Sequence, residues 1–121
     1  MQRARVVKSE LIEQDKIFYS IYIETKNANQ LFLSETQDSL GTLAISIPQP
    51  ENLIGTPLSS ILLGDRNIMI ARILAESLAK KTKRISLVSV FTKTINEKDA
   101  APIMHKLMEK TIKEENDTSE V

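Results

Sequence analysis

The sequence predicts an α+β domain: an antiparallel β-meander of about six strands with two helices on one sheet face, ordered β-β-β-β-β-α-β-α. Three observations predict it. The stretch Lys16 to Thr25 alternates strictly, with Ile17, Tyr19, Ile21 and Ile23 on one side and Phe18, Ser20, Tyr22 and Glu24 on the other. The polar turns that separate the strand-like runs of the first half are short, which suits antiparallel neighbours rather than crossovers. Two later stretches carry apolar residues at helical spacing.

The elements follow in order. Arg5 to Ile12 reads as a strand that turns at Glu13-Gln14-Asp15 into the alternating run. Lys26-Asn27-Ala28-Asn29 turns the chain into a short strand, Gln30 to Ser34, and Glu35 to Ser39 turns it again. In Leu40 to Ile47, Leu43, Ile45 and Ile47 share a face. Pro48 and Pro50 end that pairing, because proline donates nothing to a ladder. After the loop through Gly55-Thr56-Pro57, Leu58 to Leu63 forms a strand that meets a sharp corner at Gly64-Asp65. Glycine tolerates the positive φ such a corner demands, and Asp65 or Asn67 is placed to cap the following helix. That helix runs to Thr82. Its buried stripe is Ile70, Leu74 and Leu78 with Ala71, Ala75 and Ala79. Ile68, Met69 and Ile73 widen the stripe and are expected under neighbouring loops. A strand from Ile85 to Phe91 precedes the last helix, Lys98 to Glu115, with Asn96 or Asp99 as cap, Pro102 in the first turn, and Ile103, Met104, Leu107, Met108, Thr111 and Ile112 on its apolar side.

A pairing of faces follows from these strands. The aliphatic set Ile17, Ile21, Ile23, Leu31, Leu33, Leu43 and Ile45 is expected to receive the helices. The opposite set, Phe18, Ser20, Tyr22, Phe32, Thr42, Ala44 and Ser46, mixes aromatic with small residues, and either faces water, as one side of an antiparallel sheet can, or forms a packed interface.

At 121 residues the chain is expected to form one domain over 1–115 and to end in a disordered acidic tail over 116–121. Sixteen Lys and Arg balance sixteen Asp and Glu, which disfavours a nucleic-acid binder reliant on counterion release. No apolar run is long enough to cross a bilayer, and no apolar stretch follows the basic N-terminus as in a secretory signal. The absence of cysteine excludes disulfides, thiolate metal sites and a cysteine nucleophile, and a cytoplasmic location is expected.

Recognisable catalytic chemistry is missing. His105, the only histidine, sits on the last helix with Glu109 one turn on, the spacing of a surface ion pair. No nucleophile and orienting partner complete a triad, so no catalytic residue is assigned. Carboxylates do not cluster with His105 at metal-ligand spacing, and Gly41, Gly55 and Gly64 stand too far apart for a phosphate cradle. No metal or cofactor is expected. Lys80, Lys81, Lys83 and Arg84 crowd a helix C-terminus, where cations complement the dipole. Aromatics are only 4% of the chain, leaving little for base stacking, so an acidic protein surface fits this cluster better than RNA.

Ile61-Leu62-Leu63-Gly64-Asp65, then Leu74-Ala75-Glu76-Ser77-Leu78-Ala79-Lys80-Lys81-Thr82, closely resembles a segment of the proteasome assembly chaperones of the subunit-four type. Val88-Ser89-Val90 and the helix end Glu109-Lys110-Thr111-Ile112-Lys113-Glu114-Glu115 extend the likeness. Leu40-Gly41-Thr42-Leu43 is similar to a strand of the related subunit-three type, and the resemblance spans Lys16 to Glu115. It implies a non-enzymatic chaperone that dimerises, binds proteasome α-subunits, orders them into a ring and leaves before the core particle matures. It also implies that two sheets pack face to face with the helices outside. On that basis Phe18, Ser20, Tyr22, Phe32, Thr42 and Ala44 are expected to form the dimer interface, with this chain or a paralogous chaperone as mate. Lys80, Lys81, Lys83 and Arg84 are expected to meet the α-subunits, while Gly64 and Asp65 form a structural corner. The other chaperone pair of that pathway ends in a hydrophobic-tyrosine-any motif. Here the end is Ser119-Glu120-Val121, which fits the three/four type. The competing expectations are a small homodimeric adaptor of another pathway, or an RNA-binding α+β module using the basic helix end.

Overall fold

The computed structural model describes residues 3–50, 54, 55 and 57–117, with 114–117 as helix backbone only. Strands β1 (Arg5–Glu13) and β2 (Lys16–Glu24) form a hairpin through Gln14 and Asp15. Both turn residues take positive φ, 55° and 62°, the backbone of a two-residue loop whose twist matches that of the strands. Strand β3 (Ala28–Glu35) completes a meander, and β4 (Thr42–Ser46) and β5 (Ser59–Leu63) pair antiparallel. Helix α1 (Ile68–Thr82), strand β6 (Ile85–Phe91) and helix α2 (Glu97–Asp117) follow. The expected tail over 116–121 therefore begins inside the last turn of α2, and its remainder, including Ser119-Glu120-Val121, lies outside the described residues.

The sheet has six strands in the order β1-β2-β3-β6-β4-β5. The class is α+β as expected, but the sheet is mixed rather than a pure meander. Strand β6 inserts between β3 and β4, parallel to β3 and antiparallel to β4. Because β4 is antiparallel to both β5 and β6, β5 and β6 run parallel, and α1 is the crossover that parallel strands require.

Both helices lie on one face. Helix α1 covers β4, β5 and β6, and α2 covers β1, β2 and β3. The alanines of α1, Ala71, Ala75 and Ala79, are fully buried, so the helix approaches the sheet closely and Ile70, Leu74 and Leu78 reach between strands. From α2, Ile103, Met104, Leu107 and Met108 meet Phe18, Tyr22, Leu31 and Leu33 in the same core. Each large side chain so buried is worth about 1.5–3 kcal/mol. Ile68, Met69 and Ile73 are exposed, so they do not lie under loops as expected.

The corner before α1 is built as expected at Gly64, whose φ is 97°; a Cβ there would stand 2.4 Å from Thr42 Oγ1. Asp65 is exposed on it. The expected side-chain cap is not made. Asn67 is the N-cap residue in a left-handed conformation, but its Nδ2 donates to Thr92 Oγ1 at 2.9 Å. The first turn is satisfied across the fold instead: Ile70 N–H donates to Glu97 Oε2 of α2 at 3.0 Å. At the other end Lys83 turns left-handed and donates its N–H to the Ala79 carbonyl. Asn96 caps α2 as expected, its Oδ1 accepting from Asp99 N–H at 2.9 Å.

Candidate interaction surface

The helices leave the other sheet face uncovered among the described residues. Cross-strand register defines it. One row runs Lys8, Ile21, Phe32, Ser89, Leu43 and Leu63, and the next Val6, Ile23, Gln30, Leu87, Ile45 and Ser60. Ile21, Ile23, Phe32, Leu43, Ile45 and Leu87 are half-buried by one another, while Val6, Ile12, Ile47 and Leu63 are exposed. Around them stand Ile17, Tyr19, Ile85 and Phe91, on a face where β1 contributes the charges Lys8 and Glu10. A contiguous apolar face of this kind is a candidate contact surface for another macromolecule.

This corrects the expected interface. Phe18, Tyr22 and Ala44 are core residues under the helices, and Ser20 and Thr42 are buried beside them. Phe32 alone of the six lies on the open face. The alternation within each strand was legible, but not the match between strands: β3 pairs Tyr22 with Leu31 and Ile21 with Phe32. Leu31 and Leu33 consequently belong to the covered face, and Ile17, Ile21, Ile23, Leu43 and Ile45 to the open one.

The covered face accepts several polar residues because they find partners there. Ser20 Oγ lies 2.6 Å from Thr111 Oγ1, and Thr111 Oγ1 donates to the Leu107 carbonyl. Tyr22 donates its hydroxyl to Asn29 Oδ1 at 2.9 Å, and Asn29 Nδ2 donates to the Thr82 and Ser86 hydroxyls. Arg84 closes this network, donating to Glu24 at 2.5 Å and to Asn29 Oδ1 at 3.3 Å. Of the expected basic site, Arg84 is thus half-buried in a structural network. Lys80, Lys81 and Lys83 are exposed, with Lys81 3.2 Å from Glu109.

Glu35 went unrecognised as anything but a turn residue, and its carboxyl is strongly perturbed. Its side chain is fully buried. Burial pushes the carboxyl up, but the Thr94 hydroxyl and the Lys93, Thr94 and Ile95 amides together outweigh this and hold it at about 2. The amides of Lys93 and Thr94 donate to Oε1 at 2.7 and 3.0 Å, and Lys16 Nζ stands 3.4 Å away. With its oxygens so engaged, Glu35 ties the β6–α2 loop to the end of β3 and is unsuited to proton transfer. Among the described residues no three His, Cys, Asp or Glu side chains are grouped to hold a metal ion, and no helix is long and apolar enough to cross a membrane. His105 is exposed, 3.7 Å from Glu109.

No protein-family model matches the sequence, and no curated protein does. Among solved structures, the fold is similar to a chain from the crystal structure of a novel chaperone complex for yeast 20S proteasome assembly. The TM-score is 0.68 at 15% identity, over 93% of this chain and 94% of that one. At that identity the likeness is one of fold alone.

Proposed function

We propose that this protein is a non-enzymatic chaperone of proteasome core-particle assembly, of the three/four type, which works as a dimer, binds α-subunits and promotes α-ring formation. The observation that carries the proposal is the uncovered apolar sheet face, on a fold shared with a subunit of a proteasome-assembly complex. The face receives the like sheet of a second chaperone chain, with Ile21, Phe32, Leu43, Ile45 and Leu87 at its centre. This keeps the sheet-to-sheet dimer and moves it to the side opposite the one expected from the sequence. Lys80, Lys81 and Lys83 remain exposed on the helix side, where they are available to acidic α-subunit surfaces. The pairing of Lys81 with Glu109 and of Arg84 with Glu24 weakens the RNA-binding alternative, since two of the four cations are already engaged. A cytoplasmic location accords with this role.

The test is a pull-down of the tagged chain from an extract of its own source cells, with bound proteins identified by mass spectrometry. The expected result is enrichment of proteasome α-subunits without mature β-subunits. Recovery of another complex, or of RNA, with no proteasome subunit would overturn the proposal.

A further inference from the structure

The two edges of the sheet are treated differently. An edge strand presents unpaired N–H and C=O groups, and proteins commonly blunt it by shortness, bulges or charge. Strand β5 is five residues long and faces a register irregularity at Leu43/Ala44. Strand β1 is nine residues long, and its pairing with β2 is unbroken from Arg5↔Glu24 to Glu13↔Lys16. Its outer side is a usable template.

The sequence of β1 is its own antiparallel complement. Arg5-Val6-Val7-Lys8-Ser9-Glu10-Leu11-Ile12-Glu13 reads cation, two apolar, cation, serine, anion, two apolar, anion. We infer that a second copy of this chain pairs with it, β1 against β1, about a two-fold axis at Ser9, joining two six-stranded sheets into one. In that register Arg5 lies opposite Glu13 of the second copy, Val6 opposite Ile12, Val7 opposite Leu11, and Lys8 opposite Glu10. Opposite charges and apolar pairs directly across strands are the favourable cross-strand combinations. Sliding by one step that preserves the faces would centre the axis on Lys8 or Glu10 and set like charges against each other, so the charges select a single register. A two-fold contact requires this self-complementarity.

A second observation lies on the axis. Ser9 Oγ is buried and has no hydrogen-bond partner among the described residues. The pairing brings the Ser9 hydroxyl of the second copy opposite it, a serine pair of the kind that forms across strands. The outer charges join existing pairs rather than isolated groups: Arg5 is 3.9 Å from Glu24, and Glu13 takes Lys106 at 2.6 Å. Arg5 meeting Glu13 of the second copy therefore makes a chain of alternating sign. Lys110 Nζ, now 2.6 Å from the Glu10 carbonyl, must share or release it. The open sheet face stays free, and the pairing does not depend on the identity of any client.

Charge reversal and a single cysteine test the inference. Lys8→Glu sets a carboxylate against Glu10 of the second copy, and Glu10→Lys sets an ammonium against Lys8. Each variant alone is expected to self-associate about tenfold or more weakly than wild type by sedimentation equilibrium. An equimolar mixture of the two restores complementarity at both positions and is expected to associate as wild type does. Because the chain has no cysteine, Ser9→Cys reports on the axis directly, and mild oxidation is expected to link it to its own copy. Residue 9 lies on the helix side of the sheet, so packing of open faces cannot produce that link. A monomeric wild type, reversal variants that associate undiminished, a mixture that does not recover, or an unlinked Ser9→Cys would overturn the inference. A monomer that still captures α-subunits would do so while leaving the chaperone reading intact; a β1-linked dimer that captures none would do the reverse.

Discussion

The two faces of the sheet differ in the opposite sense from the usual expectation. The covered face holds Ser20, Asn29, Glu35, Thr42, Ser46 and Ser86, all buried, whereas the open face is built around Ile21, Ile23, Phe32, Leu43, Ile45 and Leu87. The more polar face is inside and the more aliphatic one outside. The difference teaches that hydrophobicity alone does not decide which side the helices take. Shape and hydrogen bonding decide it here: the small residues of α1 let it approach the sheet, and buried polar groups such as Ser20, Asn29 and Glu35 have partners on the helices and the β6–α2 loop, and others on neighbouring backbone. Ser46, for example, donates to the Leu58 carbonyl at 2.8 Å. A polar group so satisfied costs little to bury, while an aliphatic face left in water is unfavourable unless something covers it.

The sharpest way to break this comparison is to truncate one aromatic on each face. Phe18→Ala is expected to lower stability in urea by about 3–5 kcal/mol, since it empties a fully buried site. Phe32→Ala is expected to cost the isolated monomer less than about 1 kcal/mol, because no element among the described residues covers it. Equal losses would mean that the faces are not distinct.

Acid is the next largest perturbation. The Glu35 carboxyl is depressed from 4.5 to about 2 in the folded chain, so the stability it contributes is present above pH 4.5 and is lost as pH falls toward 2. Urea titrations at successive pH values should show this slope in wild type and a flatter one in Glu35→Gln, which begins less stable at neutral pH. Parallel slopes would remove Glu35 from its place as the loop's anchor.

Smaller effects separate buried from exposed polar contacts. Tyr22→Phe deletes the hydroxyl bond to Asn29 and is expected to cost about 1 kcal/mol, with Arg84 still donating to Asn29. Lys81→Ala removes an exposed pair with Glu109 and is expected to change stability by less than about 0.5 kcal/mol. Thermal or urea unfolding of the two variants side by side measures the ratio.

Much of the local structure was legible because local chemistry determines it. The alternation of Lys16 to Glu24, the span Ile85–Phe91, the corner at Gly64, the Asn96 cap and the end of α1 at Thr82 all depend on neighbours in sequence. The rest depends on residues far apart in the chain. Nothing near Ile85 announces that this strand inserts between β3 and β4. Asn67 looks like a side-chain helix cap until Thr92 takes its amide and Glu97 takes the Ile70 N–H instead. Glu35 looks like a turn residue until three amides from 93–95 converge on it. The face assignment failed for the same reason, since a shift of one residue in matching Phe32 to β2 exchanges the two sides.

The most direct test of the open face as the partner-binding surface is the same extract pull-down run with wild type and with Phe32→Glu, after circular dichroism shows that both are folded. Wild type is expected to retain a chaperone mate and proteasome α-subunits, and Phe32→Glu to lose the mate because it would bury an unpaired carboxylate in the sheet-to-sheet contact. A folded Phe32→Glu chain that recovers the same partners in the same amounts would contradict the account.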